Sequence, residues 1–176
     1  MHIKSTSDRY GAVAVAIHWI SALAIAGLLV SGFRMASLVD PLAKAGLLRV
    51  HAAIGIAVLV LTLARLSWWL FADRKPAGVP GTPPLQERAA KAVHGLLYVV
   101  ILGMGASGIG MLVLSGAGAI LYLGAPGLLP DFTAFAPRVP HGLGAFALLA
   151  LIVLHVGAAL YHQFVRRDRL IGRMGF

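Results

Sequence analysis

Of 176 residues, 59% are hydrophobic and only 12% charged, too few charges to coat a soluble domain, so the surplus apolar surface must face lipid. Cysteine is absent, which excludes disulfides, iron–sulfur clusters and Cys-held zinc. The formal net charge of +9 does not point to nucleic acid, because the basic residues sit at the edges of apolar runs, where they mark topology.

Four apolar segments are each near the roughly 20 residues that cross a bilayer as a helix. The first, about 11–33, follows Lys4 and Arg9 as a secretory signal would. Its run is too long for a signal core and holds His18-Trp19, which predicts a retained helix. The second, about 50–71, begins at Arg49-Val50-His51. A Pro/Gly-rich connection from Pro76 to Pro84 and a polar helix start at Gln86-Glu87-Arg88 lead to the third, about 92–114, which opens with His94. The next connection, Ser115 to Pro140, is apolar but broken by Gly124, Pro126, Gly127 and Pro130. It is expected at the membrane interface, the alternative being a short re-entrant segment. The fourth span, about 141–165, carries His141, His155 and His162. The expected architecture is all-α, an integral membrane bundle of four helices forming one domain over residues 1–176.

Of the 15 Lys and Arg, only Arg34, Lys44, Arg49 and Arg138 fall on the side opposite the termini, leaving eleven on the terminal side. The positive-inside rule then predicts a multi-pass protein with both termini cytoplasmic.

Seven histidines in so apolar a chain need a reason, because an ionisable group at membrane depth is costly and usually functional. His2 lies in the polar N-terminus and is expected to be solvated. His141 and His155 are 14 residues apart, about 21 Å along a helix and within roughly 40° of one face. Running the first helix outward puts His18 level with His155, and running the second inward puts His51 level with His141. Neutral imidazole is a standard axial ligand of haem iron, and facing helices of a bundle are where such cofactors sit. Two haem b groups, one per pair, are one reading of the quartet; a proton or ion pathway is the other. A lone histidine here would more simply make an interhelical hydrogen bond. Met35, Met104 and Met111 read as apolar gap-fillers. Gly55, Gly144 and Gly157 suit either a flat ring or close helix approach. Arg49 and Arg65 are the candidate cofactor-binding cations, Arg49 as partner of a haem propionate. His94 has no partner expected at its depth and should bond a propionate or structure its helix end, with Tyr98 packing locally. His162, about 10 Å beyond His155 and on nearly the same side, is the candidate catalytic residue. At the edge of the inner pair it could bond a quinone head group and pass on a proton, the alternative being an interfacial residue that faces lipid headgroups.

Ala16-Ile17-His18-Trp19, Arg49-Val50-His51 with Gly55 and Arg65, His94 with Tyr98, and His141 through His155 to Tyr161-His162 resemble the bacterial cytochrome b561 family. That family belongs with the membrane cytochrome b subunits of nickel–iron hydrogenase and formate dehydrogenase. The resemblance covers nearly the whole chain. It implies a dihaem four-helix electron carrier of the bacterial inner membrane, exchanging electrons with quinone. It also implies that His18 and His155 hold the inner haem, His51 and His141 the outer, and that His162 lies near the quinone head group. One branch oxidises superoxide at the periplasmic face and reduces ubiquinone, so a superoxide:ubiquinone oxidoreductase activity is the leading expectation. The alternative is a membrane subunit relaying electrons between a dehydrogenase or hydrogenase partner and quinone. The 115–140 connection is poorer in polar residues than in the superoxide-oxidising relative. Arg34, Lys44, Arg49 and Arg138 outnumber Asp40 and Asp131 on the outer side and would attract an anionic donor.

Overall fold

A computed structural model describes residues 2–79 and 81–175. Helix α1 spans Ala12–Ser37 and α2 spans Pro41–Ser67, the latter running on through a π-turn at Trp68–Ala72. Helix α3 spans Pro84–Leu114, and the short α4 spans Ala117–Tyr122. Helix α5 spans Arg138–Leu160 and continues as a π-turn over Tyr161–Arg166. Short 3₁₀ turns lie at Phe132–Ala134, before α5, and at Leu170–Met174, after it. Four of these helices are long and apolar enough to cross a membrane.

Helices α2 and α3 begin earlier than the apolar runs suggest, because caps rather than hydropathy set their starts. Asp40 accepts a hydrogen bond from the Leu42 N–H at 3.0 Å and Pro41 sits in the first turn. Helix α2 therefore starts nine residues before Val50. Pro84 opens α3 in the same way, and Glu87 and Lys91 pair across one turn at 2.6 Å.

The 115–140 connection does not cross. Gly116, at φ +71°, turns the chain in a left-handed conformation that side chains disfavour. It starts α4, whose six residues span only about 9 Å. Ala117 and Leu121 are buried, and the Tyr122 hydroxyl donates to the Arg49 carbonyl at 2.7 Å, tying α4 to α2.

The bundle interior is thin, as expected where lipid covers the outside. Ile25, Val58 and Leu148 form its buried cluster, with Leu28, Leu97, Ile101 and Ile152 packed around them. Each of the three lies seven residues, about two turns, after a histidine: His18, His51 and His141 respectively. The cluster is thus an apolar layer between two histidine levels.

Backbone-directed bonds close the terminal end. Ser5 donates from its N–H and hydroxyl to the Asp73 carboxylate at 2.8–3.1 Å, and Ala77 N–H donates to the Ser7 carbonyl at 3.0 Å. Arg173 donates to the Asp8 and Ala77 carbonyls, both at 2.7 Å, and Trp19 Nε1 donates to the Met174 carbonyl at 2.9 Å. Burial pushes the Asp73 carboxyl pKa up, but its bonds from Ser5, Arg74 and Trp68 outweigh that and hold it below the usual carboxylate range.

Candidate functional site

At the level nearer α4, His51 of α2 and His141 of α5 face each other with ring centroids 6.4 Å apart and planes at 63°. Each ring has the same surroundings. Ser31 of α1 places its hydroxyl oxygen 2.9 Å from His51 Nδ1, and Ser107 of α3 places its own 3.0 Å from His141 Nδ1. Both hydroxyls also lie 3.1 Å from a carbonyl three residues back, Leu28 and Met104. Gly32 and Gly108, next in sequence, let the rings approach: a Cβ at either would stand 3.4 Å from the imidazole Cε1.

At the level nearer the termini, His18 of α1 and His155 of α5 are 6.2 Å apart with planes at 76°. His94, expected to lack a partner at its depth, stands 5.2 Å from His155. Arg65 Nη1 donates to His18 Nδ1 at 3.1 Å, while its Nε is buried and has no partner among the described residues.

Two metal–imidazole bonds of about 2 Å, plus about 1 Å from each nitrogen to its ring centre, separate two axial imidazoles by about 6 Å. Both pairs match that spacing. The unpartnered Arg65 Nε–H adds a buried donor suited to an anionic group such as a haem propionate. The outer pair therefore fits haem as it stands, and the inner pair fits it by spacing, with Arg65 turning from His18 Nδ1 to such a propionate so that Nε2 is bare for iron. Arg49 is exposed at the α4 end of α2, two residues before His51.

His162 is not at an open rim. It is 8% exposed, and both ring nitrogens are engaged. Nδ1 donates to Asp168 at 2.5 Å, and Nε2 accepts from the Gln86 side-chain amide at 2.8 Å. Gln86 in turn accepts from Arg166 at 2.9 Å. The π-turn and the left-handed Arg167, at φ +57°, fold the chain back so that Asp168 meets the ring.

Ser31, Ser107, Gln86 and Asp168 were not singled out from the sequence. For the serines a signal existed. His18 is followed thirteen residues later by Ser31-Gly32, and His94 thirteen residues later by Ser107-Gly108. The second helix of each pair repeats too: His51 precedes Arg65, and His141 precedes His155, by fourteen residues.

Facing imidazoles inside a lipid-exposed helical bundle define the class: a multi-pass membrane cytochrome b that transfers electrons. The sequence profile described as prokaryotic cytochrome b561 matches residues 9–176. The chain belongs to that family. It is 30% identical to Cytochrome b561 homolog 2 of Escherichia coli K12, over 99% of this chain and 95% of the relative. It is 36% identical to Cytochrome b562 of Cereibacter sphaeroides, over 70% of this chain and 65% of that one. It is also 26% identical to a Yersinia pestis protein named "Probable superoxide oxidase CybB", over 94% and 95% of the two chains. No solved structure matches the chain.

Proposed function

We propose that the protein carries electrons through two haem b groups from superoxide, at the α4 end, to ubiquinone at the terminal end. The observation that carries the reading is the stacking of two imidazole pairs, 6.4 and 6.2 Å apart, at two levels of one bundle. His51 and His141 would hold the outer haem; His18 and His155 would hold the inner one. Each bound haem supplies a one-electron ferric–ferrous couple. The relative named a superoxide oxidase supports the choice of donor.

Both termini lie in the cytoplasm in this reading, and the α4 end faces the periplasm. Asp40 and Asp131 there are occupied in capping turns. Arg34, Lys44, Arg49 and Arg138 are left to draw in the superoxide anion. Arg49 and Arg65 would each pair with a propionate of the nearer haem. Each superoxide gives up one electron and leaves as dioxygen. Two such electrons and two cytoplasmic protons convert one ubiquinone to ubiquinol.

His162 is the proposed proton donor to that quinone. Asp168 accepts from Nδ1, which leaves Nε2, where Gln86 now bonds, as the nitrogen that would hand a proton on. A quinone carbonyl displacing the Gln86 amide would receive it.

The test is haem content and optical spectrum, oxidised and dithionite-reduced, of four alanine variants. His51→Ala and His141→Ala should lose the outer haem alone, and His18→Ala and His155→Ala the inner alone. Two haems per chain in all four would refute the assignment.

A further inference from the structure

We infer that Ser31 and Ser107 are positioning residues that fix the tautomer of His51 and His141, leaving each Nε2 bare for iron and lowering the potential of the outer haem. The inference rests on the reading that this pair holds a haem.

A serine hydroxyl has one proton to donate and two lone pairs. Ser31 stands 3.1 Å from the Leu28 carbonyl and Ser107 3.1 Å from the Met104 carbonyl, the usual back-bond of a helical serine. With the proton spent there, the oxygen can only accept from the imidazole Nδ1 at 2.9 Å or 3.0 Å. Nδ1 is therefore the protonated nitrogen. A neutral imidazole carries one N–H, so Nε2 keeps its lone pair, the form a metal ligand requires. Neither Ser31 nor Ser107 is alone in this: two helices bring the same Ser-Gly pair, thirteen residues after a histidine, to two different rings. The glycine leaves the ring edge room, since a Cβ there would stand 3.4 Å from the imidazole Cε1, while the serine holds the ring nitrogen.

Among the described residues the inner level has no such arrangement: His18 Nδ1 faces Arg65, which can only donate, so His18 presents a bare Nε2 only when Arg65 turns away, as it would toward a propionate. Donation from Nδ1–H to an oxygen raises ligand basicity and favours ferric iron; a guanidinium nearby favours the less positive ferrous state. The difference makes the outer haem the stronger reductant and directs electrons inward.

The test uses the haem-loaded protein with Ser31→Ala, Ser107→Ala, the double variant, and the corresponding threonine variants. Midpoint potentials come from optical redox titration, ligand geometry from low-temperature electron paramagnetic resonance, and haem retention from a competition with apomyoglobin. Each alanine should weaken outer-haem retention roughly 10–100-fold. Each should also raise the outer potential and change the outer resonance signal, while the inner haem keeps its own. Threonine, which keeps the hydroxyl and its back-bond, should restore all three. Loss of the outer haem alone in an alanine variant, with recovery in threonine, supports the inference equally. Unchanged outer potential and signal in the double alanine variant would overturn it, as would threonine variants that behave like alanine. If His51→Ala or His141→Ala retains both haems, the haem reading of this pair fails first and the serine assignment falls with it.

Discussion

Replacing Gly11 with alanine should open the terminal end of the bundle. Gly11 caps α1 with ordinary extended dihedrals, φ −74° and ψ 159°, so alanine carries no backbone strain there. The obstacle is space. Its Cβ would stand 2.5 Å from the Lys4 carbonyl carbon and 2.7 Å from Ser5 N, with the Ile3 carbonyl oxygen closer still. These are backbone atoms with no rotamer to escape into, so residues 3–5 must lift away. Ser5 then loses its bonds to Asp73, and Gly11 N–H its bond to Ser5 Oγ at 3.0 Å. Two charge-assisted bonds at the low end of their range, about 1.5 kcal/mol each, give about 3 kcal/mol. The stiffer unfolded chain returns up to about 1 kcal/mol. A net loss of about 2 kcal/mol raises the open population about thirtyfold, and cleavage should follow it when opening is fast. Trypsin cutting after Lys4 and Arg9, timed by mass spectrometry in detergent, reads this directly. Cleavage within twofold of the parent would show that the clash is relieved some other way and that the reasoning is wrong.

Two further outcomes follow from the same end of the molecule. Because the folded Asp73 carboxyl titrates below the unfolded value of about 3.9, its contribution is full above that pH and fades as pH falls through the folded value; thermal melts from pH 6 to 3 should show a loss that Asp73→Asn largely removes, and parallel curves would refute it. His162→Ala should keep both haems and still be reduced by superoxide, yet form quinol at least tenfold more slowly, with Asp168→Asn intermediate; stopped-flow haem reduction beside steady-state quinol formation separates the steps, and unchanged quinol formation would remove His162 from the reaction.

The crossing segments and the meeting of His18 with His155 and His51 with His141 were legible because hydropathy and a fourteen-residue spacing carry depth and face. Helix starts were not, since residues 41–49 and 84–91 are helical through their caps and lie beyond the apolar stretch that marks lipid. The approach of His94 to His155 depends on how α3 is rotated against α5, which periodicity leaves free. Asp168 reaches His162 through a left-handed arginine, a conformation that sequence announces for glycine or asparagine but not for arginine. The serines beside the outer pair were readable as a repeat, but serine inside an apolar helix is so common a back-bonding residue that composition alone did not mark it.

The layer of Ile25, Val58 and Leu148 has an electrical consequence. Its three aliphatic side chains offer a proton no hydrogen bond, so under the proposed function the layer is crossed by electrons rather than by protons. In the proposed orientation each electron moves inward, toward the negative side of an energised membrane. Full passage would cost about 2.3 kcal/mol per 100 mV, and the layer accounts for part of that drop. Quinol formation by this protein would then slow as the membrane charges and quicken when an ionophore collapses the voltage, making the bundle a rectifier whose back-pressure is the membrane potential itself.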